Sequence, residues 1–218
     1  MSEFPITEQN RVRRVPSRGV YDAEGVNAVI DACPISHVAI NTEKGPTIIP
    51  MLFGRREDEL LFHGATKSRL MLALVSGQSI CVSFTLLDGL VLAKSLFHHS
   101  ANYRSAVVFG QGHVVENADE KLEALKIISD KMMPGRWEDS RLPNEQEMKA
   151  TMVASIKIAS ASAKVRTGGP IDEPEDMKLP YWAGVVPLNM QASTPIPEKE
   201  QVQSIPQYVS DWIENANS

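Results

Sequence analysis

The chain is poor in the residues on which specialised chemistry is usually built. It has two cysteines, Cys33 and Cys81, both inside apolar runs. That pattern excludes a disulfide framework and a thiolate metal site, and it predicts buried free thiols in a reducing compartment. There is no basic excess. Lys and Arg number 22 against 27 Asp and Glu, for a formal charge of -5, which argues against general nucleic-acid affinity. No apolar run reaches membrane-spanning length, and no leader or lipidation motif is read, so a soluble, cytoplasmic protein without membrane contact is expected. GxGxxG, Walker and GxSxG motifs are all missing, which removes the local marks of a dinucleotide fold, a P-loop and a serine nucleophile. Neither HExxH nor HxxxH occurs. The adjacent His98 and His99 cannot share a helix or strand face, so no metal site is expected.

What is present suits one domain over residues 1–218. Its 43% hydrophobic content supplies a sizeable core. Residues 1–10 are polar and loose, and residues 189–218 read as a linker and a C-terminal helix. Asp22 caps a helix to about Cys33, with Val26, Val29 and Ile30 on its inner face. Short strands follow at about 35–41, 47–53 and 59–63, joined by turn chemistry. Residues 79–86 are a further strand, and Asp88-Gly89 signals a hairpin to 90–97. A long strand covers about 104–115. Asn117 opens a helix with Leu122, Leu125, Ile128 and Met132 inward. Asn144 begins a short helix, residues 153–159 form a sixth strand that 162–165 can extend, and 181–188 form a last one. The expectation is α+β: an antiparallel sheet, closed as a small barrel, with peripheral helices.

The most informative stretch is residues 60–71. An apolar strand end hands over, through Gly64-Ala65-Thr66, to a helix opening with Lys67, Ser68 and Arg69. Open backbone N–H groups, the helix dipole, two cations and the hydroxyls of Thr66 and Ser68 there would suit a phosphate. The alternative is an ordinary cap at Thr66 with solvated Lys67 and Arg69. A second polar cluster runs from Phe97 through His98, His99, Ser100, Asn102, Tyr103 and Arg104 to Ser105, between two apolar strands. It could contact a ligand or a second subunit, or it is a polar loop at a sheet rim. Four arginines, Arg11, Arg13, Arg14 and Arg18, fall within eight residues. They could grip phosphate, or form a surface arm paired with acids. Trp182 could stack on an aromatic cofactor or sit partly buried.

Taken in order, several segments resemble one family. They are Arg18-Gly19-Val20-Tyr21-Asp22, Ile49-Pro50-Met51, Leu61-Phe62-His63-Gly64 with Lys67-Ser68-Arg69, Asp88-Gly89-Leu90, Asn102-Tyr103-Arg104-Ser105, Ser162 to Arg166, and Trp182-Ala183-Gly184-Val185. The chain resembles the pyridoxamine 5′-phosphate oxidase-related, FMN-binding split-barrel proteins, in the branch similar to nitroimidazole-resistance proteins. The resemblance implies a six-stranded Greek-key split barrel and a homodimer with FMN at the subunit interface. It implies the FMN phosphate at Lys67, Ser68 and Arg69, with His63 and Gly64 along the same edge. Backbone at Ile48, Ile49, Pro50 and Met51 would face the isoalloxazine ring. His99, Ser100, Tyr103, Arg104, Ser105 and Trp182 would close the cleft from the second subunit. The late Arg-x-His motif of the oxidase itself is missing, since Arg166 is the last arginine and His113 the last histidine. Leu70 stands where the oxidase has a second cation. The expectation is therefore an FMN-dependent oxidoreductase on a small molecule, with His63 as the candidate catalytic residue. The alternative is a non-catalytic binder of flavin or of another planar cofactor.

Overall fold

The computed structural model describes residues 3–200 and 203–217. A short arm and a 3-10 turn lead to β1 (Gly19–Val20) and α1 (Ala23–Ala32). Asp22 caps α1 by accepting the Gly25 N–H at 2.7 Å, and Val26, Val29 and Ile30 are its buried face, as the apolar spacing predicts. Such a cap contributes about 1 kcal/mol. Then come β2 (Ser36–Thr42), β3 (Gly45–Met51), β4 (Gly54–Arg56), β5 (Glu59–Ala65) and α2 (Arg69–Leu74). The long strands β6 (Ser79–Leu92) and β7 (Ser100–Val114) follow, then α3 (Ala118–Met132), α4 (Glu145–Ala150), β8 (Thr151–Lys157), β9 (Ser160–Arg166), β10 (Gly184–Pro187) and α5 (Gln207–Asn217).

Every strand pairing is antiparallel. The ladder runs β3-β2-β6-β7-β8-β5-β4. Only Leu52 and Phe53 separate β3 from β4, so the chain itself joins the two ends of the ladder and closes it. Phe53 fills that corner. It is 1% exposed, and its ring meets Phe84 edge-on at 5.0 Å. Strands β8 and β9 follow one edge of β7 in succession, with a break at Ile158-Ala159. The sheet thus comes in ten pieces rather than six: β3/β4 and β8/β9 are each one strand interrupted where the barrel bends, and the short β1 and β10 add to β9 and β6.

Inside, Val38, Leu60, Phe62, Ile80, Val82, Phe84, Val108 and Ile156 meet α1 and α2 in one core. A smaller cluster of Leu61, Val115, Ala124, Ile128 and Val153 seats α3. Two glycines on β7 permit close approaches. A Cβ on Gly112 would stand 2.9 Å from the Leu74 carbonyl carbon, and one on Gly110 would stand 2.8 Å from Ile156 Cγ2, each with a backbone oxygen nearer still.

Four sequence expectations are corrected. Asp88-Gly89 is not a hairpin turn: β6 runs through it, with a register shift between Leu87 and Gly89. The Asp88 carboxylate is held by Arg104 across the ladder, and Gly89 lets β10 come close (a Cβ there would be 3.0 Å from the Val186 oxygen). The real reversal lies at residues 93–99. Strand β5 extends through Gly64 and Ala65 because both pair with β8, so α2 starts at Arg69 with Ser68, not Thr66, as its N-cap residue. Cys81 is half-buried, on the outer sheet face between Ala39 and Phe109, while Cys33 is in the core. Met132 is 51% exposed, and Ala124 takes the buried position on α3.

Candidate functional site

Three groups of residues carry the sequence-derived site. The first is the junction of β5 and α2. The Ser68 N–H donates to the Ala65 carbonyl at 2.8 Å, and the Ser68 carbonyl receives the Leu72 N–H at 2.9 Å, which turns the chain from strand to helix. The Ser68 side chain makes no cap bond. Lys67 and Arg69 are exposed, and among the described residues neither makes an ion pair. The junction therefore presents two uncompensated cations and an unused hydroxyl around the first amides of α2. At Gly64 a Cβ would be 2.8 Å from Met71 Cγ, so a larger residue would push the buried Met71 side chain aside where α2 packs on β5. One residue earlier, His63 pairs with Val153 through its backbone. Its side chain reaches solvent and has no described hydrogen-bond partner. Surrounding protein atoms still crowd the imidazole, and that desolvation lowers its pKa below the usual value, so the ring is neutral at pH 7.

The second group is β3. It is the terminal strand of the ladder, so one side of its backbone carries unpaired N–H and C=O groups. Alternation divides its side chains. Ile48 is 66% exposed, and Pro50 also faces outward. Ile49 and Met51 pack against the core. The four residues thus offer a rigid backbone edge, with an apolar side chain on each face.

The third group lies on the β6–β7 ribbon. His99 contacts the Ala93 carbonyl at 3.1 Å through Nε2. Arg104 donates to both Asp88 oxygens, at 3.0 and 2.7 Å, and this partner raises its pKa. Ser105 Oγ donates to the Lys164 carbonyl at 3.3 Å. Ser100 is exposed and Tyr103 half-buried. Trp182 is 66% exposed and lays its indole over Gly184, where a Cβ would stand 2.7 Å from the ring. A concavity of about 830 Å³ beside this ribbon is lined in part by Leu87, Asp88, Arg104 and Met190.

A single chain does not unite the three groups. The carbonyl end of α2 abuts Gly112, eight residues along β7 from Arg104, or about 27 Å. The concavity of about 1040 Å³ between residues 135–139 and the C-terminal segment holds none of these residues. Sequence reasoning missed two polar features. Asp88, read as turn chemistry, is the anchor of Arg104. Arg166 is buried and donates to the carbonyls of Gly168 (3.2 Å) and Gly169 (3.0 Å) and to Asn102, all neutral acceptors. An arginine closing an apolar strand gives no signal of burial in the sequence. No group of three or more His, Cys, Asp or Glu among the described residues is placed to hold a metal ion. No helix among them is long and apolar enough to cross a membrane.

Comparison with known proteins assigns the family. Residues 22–165 match the family model described as pyridoxamine 5′-phosphate oxidase. The chain is 37% identical to the flavocytochrome Anf3 of Azotobacter vinelandii, covering 94% of this chain and 96% of that one, with a TM-score of 0.89. It is 34% identical to the FAD and heme binding protein of Mycobacterium smegmatis, covering 89% and 96%, with a TM-score of 0.84. A Bacteroides thetaiotaomicron structure described as a 5-nitroimidazole antibiotic resistance protein shares the fold at 23% identity and a TM-score of 0.57, covering 67% and 86%. The search of curated proteins gives no match. The chain belongs to the pyridoxamine 5′-phosphate oxidase family and has its split-barrel fold.

Proposed function

We propose that this protein is a flavin-binding oxidoreductase working as a homodimer. The flavin phosphate sits at Lys67, Ser68 and Arg69, and the ring lies along Ile48, Ile49, Pro50 and Met51, with His63 and Gly64 at its edge. The observation that carries this reading is the junction of β5 and α2: two cations without carboxylate partners and an unused hydroxyl meet at a helix start, on a chain of net charge -5. An anionic phosphate relieves that repulsion through charge-assisted hydrogen bonds. The open edge of β3 can pair its backbone with the polar rim of a flat ring system. A bound flavin supplies hydride and single-electron transfer. The chain's own contribution is orientation by these two edges, and a neutral imidazole at His63 able to take a proton on a ring nitrogen.

The second copy supplies what one chain keeps about 27 Å away. His99, Ser100, Tyr103, Arg104, Ser105 and Trp182 of that copy close the cleft. Support for the dimer comes from the outer sheet face, where Ile48, Ala39 and Cys81 lie side by side as an apolar row that a second copy would cover. Of the two flavins, the resemblance implies FMN, whereas the 34% identical relative is named for FAD. The proposal takes FAD, which contains the same ring and first phosphate.

Both relatives of high coverage are named as flavin and heme proteins. In a second reading a heme takes the site, and His63, with no described partner, binds its iron in place of accepting a proton beside a flavin.

The test is the absorption spectrum and released cofactor of the purified protein. A flavin spectrum is expected, with FAD in the released fraction and a Soret band if heme is bound. Lys67→Ala with Arg69→Ala should weaken flavin binding by about 1.5–3 kcal/mol per lost contact and leave folding intact. Unchanged affinity in the double variant, or a colourless protein that takes up no flavin, refutes the site. Flavin reduction by NADH or NADPH separates the enzyme from a non-catalytic binder.

A further inference from the structure

The arginine-rich arm is not used by the flavin reading, and the structure shows where it lies. Residues 9–14 run across the outer face of β7 and β9 and enclose a groove of about 310 Å³, with Ser105, Val107, Phe109, Ser162 and Lys164 on the opposite wall. The arm is fixed rather than loose. Asn10, 3% exposed, donates from Nδ2 to the carbonyls of Pro5 (2.9 Å) and Ala161 (3.1 Å) and accepts the Thr7 N–H at 2.7 Å. The Val12 N–H donates to Tyr21 Oη at 2.8 Å. Beyond the arm, Gly19 and Val20 pair with Lys164 and Ala163. So the arginines are presented by a backbone held on both sides.

No carboxylate lines this groove. Arg13 is neutralised by Glu8. Arg11, Arg14 and Lys164 make no ion pair among the described residues, although acidic side chains outnumber basic ones in the chain. Three uncompensated cations around one small concavity repel each other, and an anion seated between them removes that cost. Ser162 also lines the groove, and Ser105, whose Oγ donates to the Lys164 carbonyl, keeps lone pairs free. A volume of about 310 Å³ holds a diphosphate with part of a nucleoside, and is larger than a single carboxylate requires.

We propose that this groove binds the diphosphate of a nucleotide, through Arg11, Arg14 and Lys164. The proposal stands apart from the Lys67–Arg69 seat and does not depend on it. The diphosphate is that of a separate nucleotide such as a nicotinamide dinucleotide, since the proposed flavin site already holds one of the two adjacent FAD phosphates. The recognition chemistry is two adjacent phosphates bound by guanidinium forks.

The experiment is isothermal titration of the full-length protein with inorganic pyrophosphate and with ADP. Both should bind, with affinity falling as ionic strength rises. Arg11→Gln with Arg14→Gln should weaken both by about ten-fold or more. The variant should keep the wild-type melting temperature, because Asn10 and Tyr21 hold the arm. A further arm tests the source. ADP should bind with flavin still in place, and ADP that binds only by displacing flavin overturns the assignment to a second nucleotide. Failure of the wild type to bind pyrophosphate or ADP, or equal binding by the double variant, overturns the proposal. Flavin binding at Lys67–Arg69 is scored separately by its spectrum, so either idea can fail alone.

Discussion

Replacing Gly112 by alanine tests how the barrel holds the proposed phosphate seat. The new Cβ would stand 2.9 Å from the Leu74 carbonyl carbon and closer to its oxygen. That carbonyl is the last of α2, so no flexible side chain can yield. The helix end must retreat by roughly an ångström to reach ordinary contact distance, a strain of the kind that costs about 1–3 kcal/mol. Leu70, Met71 and Leu74 are buried on α2, so retreat also loosens their packing in the core. For a chain of this length each kcal/mol lowers the melting temperature by about 2–4 °C, which gives an expected drop of about 2–12 °C. Because Lys67, Ser68 and Arg69 stand at the other end of the same short helix, flavin affinity should fall with it. Urea unfolding and flavin titration measure the two effects. Gly77→Ala is the control. Gly77 has φ +82°, and no atom lies within 4 Å of the place its Cβ would take, so the change should cost about 1–2 kcal/mol through backbone strain alone and spare flavin binding. A Gly112→Ala protein within about 0.5 kcal/mol of wild type would refute the packing argument.

Three further outcomes are expected. His63 should titrate below the ordinary histidine value, because desolvation favours its neutral form. Its folded pKa is below its unfolded one, so its contribution to stability is full above about 6.5 and declines as pH falls toward the folded value. An imidazole NMR titration with a midpoint at or above 6.5 would contradict this. Glu147 is held down to about 2 by Arg141 and by the Asn144 N–H in a reciprocal cap. That stabilisation is present above about 4.3 and is lost as pH falls toward about 2. Glu147→Gln should flatten the acid limb of the unfolding curve, and Asn144→Ala should cost about 1 kcal/mol. Burial raises the thiol pKa of both cysteines. Cys33 should resist a thiol reagent until the protein unfolds, whereas half-buried Cys81, which the proposed dimer covers, should label as the dimer dissociates and faster in alkali. Rapid labelling of Cys33 in the folded protein would put it outside the core.

Local patterns in the sequence carried much of the fold. Asp22 with the spacing of Val26, Val29 and Ile30 specifies α1 wherever the helix packs, because capping and amphipathicity act within a few residues. The alternation in β6, β7 and β8 likewise specifies strands. The string Lys67-Ser68-Arg69 after Gly64 could be proposed as an anion seat from sequence alone, since that chemistry depends on a short contiguous segment. The sequence misled where a local signal was met by a distant partner. Asp88-Gly89 has turn chemistry, yet Arg104 and β10 hold it inside a strand. Gly64 and Ala65 look like the turn, yet pairing with β8 keeps them extended. Only the tertiary structure decided that the arginine arm, anchored by Asn10 and Tyr21, faces Lys164 across a groove. Only the tertiary structure decided, too, that one chain holds the two halves of the proposed flavin cleft at opposite ends of β7. Those relations depend on residues far apart in sequence, brought together by sheet register and packing, and no local pattern encodes them.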